Sequence, residues 1–133
     1  MIDHLSLGVS ELPAATSFYD AVLRPLGFRR VWTRPHAAGY GSGGPDEQLA
    51  LFEVGDDASA PGRGFHLAFT APSREAVIEF HRAAVALGAM DEGEPGPRPR
   101  FGAGYFAAFV RDPDGHKVEA VFHDGREDRS GDR

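Results

Sequence analysis

A chain of 133 residues with 14 Lys+Arg against 20 Asp+Glu carries a formal net charge of −6, which argues against nucleic acid and anionic membrane as partners. It has no cysteine, so disulfides, thiolate metal sites and a cysteine nucleophile are excluded; its 41% apolar and 11% aromatic content suits a chain that buries a core. The 17 Gly and 10 Pro point to many turns and short strands, and six His without Cys mean that any metal ligands are imidazole or carboxylate.

Met1-Ile2-Asp3-His4 has neither a basic n-region nor an apolar h-region, and no apolar run reaches the ~20 residues of a membrane span, so the expectation is a cytoplasmic protein. Residues 2–9 alternate, with Leu5, Leu7 and Val9 on one face and Ile2, His4, Ser6 and Gly8 on the other, which predicts a strand. Ser10 is positioned to cap a helix over 12–24 with Pro13 in its first turn. Ala14, Phe18, Ala21 and Val22 give that helix an apolar face, and Gly27 ends it. Short strands are expected at 28–34, 37–41 and 48–54.

The pattern then starts again. Phe65-His66-Leu67-Ala68-Phe69 repeats Asp3-His4-Leu5-Ser6-Leu7, and Leu87-Gly88-Ala89 repeats Leu26-Gly27-Phe28. Ala103-Gly104-Tyr105 matches Ala38-Gly39-Tyr40, and Pro113-Asp114 matches Pro45-Asp46. These matches, in the same order, indicate a duplicated module. In the second copy Ser73 caps a helix carrying Val77, Phe80, Ala84 and Leu87, ended by Gly88. A strand follows near 89–92, and Gly93 to Gly102, rich in Pro and Gly, reads as a loop. Strands at 105–110 and 117–122 are joined by the turn Asp112-Pro113-Asp114-Gly115. Residues 124–133, nearly all charged or small, are expected to be a mobile tail.

The prediction is an α+β fold: two tandem βαβββ modules, one over about 1–55 and one over about 63–123 of a single domain, forming a curved mixed sheet around a shared cleft with the helices outside. The chemistry then belongs on the faces opposite the helices. His4 and His66 occupy equivalent repeat positions there, among small neighbours that leave room for a ligand. A hydrogen-bonded histidine filling a strand position is the alternative for each. Glu119 sits mid-strand among apolar neighbours, costly for a carboxylate unless paired or metal-bound. It shares its face with Val121 and His123. Two imidazoles and a carboxylate make a facial metal set with open positions for substrate, and with water would also suit catalytic zinc. Tyr105 shares a strand face with Ala107 and Phe109 and could give a proton beside the metal. Tyr40 is its repeat partner. Arg98 and Arg100, in the Pro/Gly loop, read first as residues of a solvated loop, with reach over the cleft to an anionic substrate as the alternative. His116 is expected to be exposed in its hairpin, and His36 and His81 to be surface residues.

His4 in the first strand, His66 opening the second module and Glu119 shortly after Asp112-Pro113-Asp114-Gly115 resemble the vicinal oxygen chelate superfamily, which includes glyoxalase I, extradiol dioxygenases, fosfomycin-modifying enzymes and bleomycin-resistance proteins. Phe18-Tyr19 followed by Leu26-Gly27-Phe28 resembles the family's first helix and the turn after it. The resemblance covers about residues 2–123. It implies a divalent metal (Fe, Mn, Ni or Zn) held by His4, His66 and Glu119; the residues themselves suggest Glu119, as ligand or base, and Tyr105, as proton donor, for the catalytic groups. Tyr40, Arg100 and Phe109 would contact a small oxygen-rich substrate chelated through neighbouring oxygens. It also implies a homodimer. The fourth ligand of glyoxalase I would fall on Ala50 or Leu51, which cannot bind metal, so the likeness is closer to three-ligand members. The alternative within the family is a metal-free small-molecule binding protein of the bleomycin-resistance type.

Overall fold

The computed structural model describes residues 1–125; of the tail expected over 124–133, residues 126–133 lie outside the described residues. The order is β1 (Leu5–Val9), α1 (Leu12–Leu23), β2 (Arg29–Arg34), β3 (Ala37–Gly41), β4 (Leu49–Glu53), β5 (Leu67–Thr70), α2 (Arg74–Ala86), β6 (Asp91–Pro97), β7 (Tyr105–Arg111) and β8 (Lys117–His123), with three single 3-10 turns. It forms two four-stranded mixed sheets, β1-β4-β3-β2 and β5-β8-β7-β6. The expected α+β fold of two βαβββ modules is therefore what the chain adopts. The described residues contain no helix long and apolar enough to cross a membrane.

Register shows how closely the modules correspond. Ser6 pairs with Ala50 across β1 and β4 as Ala68 pairs with Glu119 across β5 and β8. Gly39 then faces Ala50 as Phe109 faces Glu119. Ala50 thus holds in the first sheet the place that Glu119 holds in the second. The same register corrects one repeat match: Tyr40 pairs with Leu49, the counterpart of Val118, which pairs with Val110. Tyr40 therefore corresponds to Val110 and not to Tyr105.

The helices form because their apolar residues recur at helical spacing, and each buries that side in a core shared by both modules. Tyr19, Val22 and Leu23 of α1 and Val77, Phe80 and Ala84 of α2 are buried, together with inward strand residues such as Val9, Leu51, Val110, Val118 and Ala120. Helix α1 packs on α2. Gly27 and Gly88 end the two helical segments with φ of 89° and 85°, as their positions predict. Ser73 caps α2, its hydroxyl accepting from the Ala76 N–H. The expected Ser10 cap on α1 is not made. The Leu12 N–H donates instead to Glu53 Oε2 at 2.7 Å, a carboxylate brought from β4. That contact holds the Glu53 pKa below the ordinary carboxylate value, and His36, 2.8 Å from Oε1, adds to the effect.

The loop expected over 93–102 is corrected in its first half. Strand β6 runs to Pro97 through Pro95, with register irregularities between Asp91 and Gly93 and between Gly93 and Gly96. Prolines fit here because β6 is an edge strand, and an edge strand has a side on which no ladder donor is needed.

A buried cluster ties the modules together. Asp112 Oδ2 accepts from the Tyr19 hydroxyl at 2.6 Å and lies 2.8 Å from His116 Nδ1. Its Oδ1 accepts the backbone N–H groups of Asp114 and His116, both at 2.9 Å. His116, expected to be exposed, is only 2% accessible, because Tyr19 of α1 and the Asp112 carboxylate close over the hairpin. The hydrogen bond to Asp112 raises the His116 pKa, although burial opposes it. His81, also expected at the surface, is largely covered and pairs with Asp91 at 3.0 Å.

On the first sheet, Gly39 allows the single tryptophan to lie flat. A Cβ built on Gly39 would meet Trp32 Cε2 at 2.3 Å, and the Arg34 guanidinium lies 4.7 Å from the Trp32 ring centre. Gly39→Ala should lift the indole from the sheet at a cost of about 1–3 kcal/mol. The check is tryptophan emission together with the urea midpoint; an unchanged spectrum and midpoint would contradict the close approach.

Candidate functional site

On the second sheet the face turned away from α2 carries Tyr105, Phe109, Lys117 and Glu119, because alternate residues of β7 and β8 share a face. His66 stands just before β5 and reaches the same face. Together with Glu92, Arg98, Arg100 and Phe101 these residues line a groove of about 490 Å³.

Glu119 is its centre. It is 1% accessible, yet no Lys or Arg among the described residues forms an ion pair with it. Its Oε1 lies 2.9 Å from His66 Nε2, and its Oε2 accepts from the Tyr105 hydroxyl at 2.5 Å. The neighbour on β5 is the small Ala68, and the covered carboxylate is closed off from the groove by the His66 and Tyr105 side chains it bonds to. Burial, and then donation to the Glu119 carboxylate and its negative charge, pushes the Tyr105 phenol up to about 12. The phenol therefore remains protonated across the neutral range and can serve as a donor.

Phe109 faces Glu119 across the strands, with the His66 ring 6.1 Å away, centre to centre. The Arg98 guanidinium lies 5.6 Å and Lys117 Nζ 5.3 Å from the Phe109 ring centre. Phe101 packs edge-on to Tyr105 at 5.4 Å, and the Arg100 guanidinium lies 4.7 Å over Phe101.

The structure brings His66, Glu119, Tyr105, Phe109 and Arg100 to one groove. His4 is not among them. Strand β1 begins only at Leu5, and the half-exposed His4 ring pairs with Asp3 at 2.6 Å in a separate groove with Asp46 and Gln48. His66 and His4 thus line separate grooves within one chain. Among the described residues no group of three or more His, Asp or Glu comes together to hold a metal. Tyr40 is also corrected. It is 1% accessible on the helix side of β3, and its hydroxyl donates to Asp20 Oδ1 at 2.8 Å, so it cannot contact a groove ligand. Arg98 is held by backbone: its guanidinium donates to the carbonyls of Glu94 at 2.8 Å and Gly96 at 2.9 Å. Lys117 is a groove residue beyond those the sequence predicts, although its alternation with Glu119 on β8 places it on the same face.

Two βαβββ modules with a His–Glu pair on an open sheet face define a glyoxalase-like class of protein. The chain belongs to the glyoxalase/bleomycin resistance protein/dioxygenase superfamily, whose model matches residues 1–120. It is similar to a glyoxalase/bleomycin resistance protein from Albidiferax ferrireducens, with 32% identity, a TM-score of 0.76 and coverage of 90% of this chain and 95% of that one. A lactoylglutathione lyase from Agrobacterium tumefaciens is 25% identical, with a TM-score of 0.62 and 92% of each chain covered. A genomically encoded fosfomycin resistance protein from Listeria monocytogenes shares the fold at 20% identity, with a TM-score of 0.67 and 92% of each chain covered. No curated protein matches the chain.

Proposed function

We propose that the protein is a divalent-metal-dependent enzyme acting on a small oxygen-rich substrate held through neighbouring oxygens. The observation that carries this reading is the His66–Glu119 pair: a buried carboxylate, unneutralised by Lys or Arg, beside an imidazole nitrogen on an open sheet face. The donors, an imidazole nitrogen and a carboxylate oxygen side by side, fit Fe, Mn, Ni or Zn in kind and would hold such an ion. When bound, such an ion supplies Lewis-acid stabilisation of negative charge on the chelated oxygens.

The third ligand is His4, and it comes from a second copy of the chain. A two-fold dimer that lays the first sheet of one copy over the second sheet of the other presents His4 to the partner's groove twice. Glu119 then serves as ligand or base. Tyr105 holds a proton at its hydroxyl beside Glu119, and Arg100 and Phe109 contact the substrate. We read this chain's reaction as a lyase, transferase or ring-cleaving dioxygenase step, and one structural neighbour is a lactoylglutathione lyase.

One observation favours a metal-free binding protein instead: His66 and Tyr105 already satisfy both Glu119 oxygens, and no buried side-chain polar atom among the described residues lacks a partner. Metal analysis of protein purified without added metal or chelator separates the two. The expected result is stoichiometric metal in the wild type and none in His66→Ala, with the circular dichroism of the wild type retained. Mixing His4→Ala with His66→Ala should restore one intact site per mixed dimer. Metal-free wild type, or a His66→Ala variant that keeps its metal, overturns the reading.

A further inference from the structure

We infer that the groove selects an anionic ligand, a small molecule carrying a carboxylate or phosph(on)ate on an apolar body, and that Lys117 and Arg100 are the residues that select it. This inference deepens the functional reading above by naming the substrate class of the same site.

The charges around the groove carry the argument. Three of its lining side chains are cationic, Arg98, Arg100 and Lys117, in a chain whose net charge is −6. Two lining carboxylates oppose them, and both are engaged. Glu92 accepts from Arg111 Nε at 2.6 Å, and Arg111 also donates to the Gly115 carbonyl at 2.8 Å, so that pair is closed upon itself. Glu119 is held by His66 and Tyr105. Of the three cations, Arg98 is spent on the carbonyls of Glu94 and Gly96. Lys117 and Arg100 have no carboxylate partner among the described residues. Each instead rests against an aromatic ring, Nζ of Lys117 near Phe109 and the guanidinium of Arg100 over Phe101. A cation over a ring keeps its donors free for a second partner, and an oxyanion takes them at little cost in reorganisation.

The spacing defines the ligand. Lys117 and Glu119 are two residues apart on β8 and share a face, which separates their side-chain origins by about 6.6 Å along the strand. An anionic group at Lys117 therefore stands a few bonds away from the His66–Glu119 pair, with the Phe109 ring beside both. Phe101, Tyr105 and Phe109 supply apolar surface for the body of the molecule.

The test uses the full-length chain stripped with a chelator and titrated with benzoate, its neutral isostere benzamide and inorganic phosphate, followed by calorimetry and by NMR. Benzoate should bind at least about tenfold more tightly than benzamide; Lys117→Gln should lower benzoate affinity by about fivefold to tenfold, and Arg100→Gln, at the Phe101 end of the groove, by a smaller factor. Phosphate that competes with benzoate shows that charge alone suffices; phosphate that fails to compete shows that the ring contacts of a carboxylate ligand are needed. Equal affinity for benzoate and benzamide, or variants that bind benzoate like the wild type, overturns the inference. A manganese titration read by electron paramagnetic resonance keeps the two readings apart. Lys117→Gln should bind Mn²⁺ as the wild type does. Charge selection without manganese binding sinks the metal reading alone; manganese binding without charge selection sinks this inference alone.

Discussion

Glu119→Gln should lower affinity for a divalent cation by more than the 10–100-fold that losing an outer-shell partner typically costs, while the protein still folds. The amide has the shape of the carboxylate and can still bond to His66 and Tyr105, so the effect isolates charge. A second readout needs no metal. The Tyr105 phenol is pushed up to about 12 by burial and by the Glu119 carboxylate, against an ordinary value of 10.0. Removing the negative charge makes the phenolate less costly, so the Tyr105 pKa should fall toward 10 while keeping the part due to burial. The ultraviolet absorbance of the phenolate follows this directly. Tyr19 and Tyr40, the other two tyrosines, are buried with their hydroxyls on Asp112 and Asp20 and ionise at higher pH. An unchanged onset of phenolate absorbance in Glu119→Gln would break the assignment of the Tyr105–Glu119 contact.

The largest effect on stability is expected at Asp112. Truncation to Ala removes the acceptor from the Tyr19 hydroxyl, the His116 ring and two backbone N–H groups at once. Breaking a buried pair of this kind costs about 3–5 kcal/mol, read as a fall in the urea midpoint at constant slope. Asp112→Asn, which keeps one acceptor oxygen, should lose less. The same cluster gives a pH dependence. His116 faces Asp112, Asp114 and the Tyr19 hydroxyl, and its folded-state pKa is raised above the ordinary 6.5. Its contribution is fully present below pH 6.5 and is lost as the pH rises through the raised value. The urea midpoint of the wild type should therefore decline on going from below pH 6.5 to above that value, and His116→Gln should flatten the decline. A loss below about 0.5 kcal/mol in Asp112→Ala, the ordinary effect of a surface change, would show that the cluster does not tie the modules together.

The parts of this molecule that a linear sequence reveals are those whose cause is local. Alternation along residues 117–122 placed Glu119 opposite Val118 and Ala120, and the sheet does the same. Ser73 and the two helix-ending glycines could likewise be read from their neighbours alone. What escaped depends on residues distant in the chain. The cap of α1 comes from Glu53, 41 positions away, and Tyr19 meets Asp112 across 93. A short repeat match aligns Tyr40 with Tyr105, whereas strand register, a property of pairing, assigns it to the position of Val110. Strand β6 was mistaken for loop from Gly93 onward because proline argues against a strand only where both sides are paired. The His66–Glu119 half of the site was legible by parity. The position of His4 relative to that pair depends on how sheets meet, which alternation does not encode.

The composition of β6 also bears on how this protein behaves at high concentration. A row of unpaired N–H and C=O groups along a sheet margin is a template on which another chain can add a strand and start a fibril. Here the margin beyond β7 includes Pro95 and Pro97, which have no N–H to donate, and two interruptions of register break the repeat that an incoming strand would need to follow. A strand arriving at that border finds no continuous ladder, so growth of the second sheet by addition ends at β6.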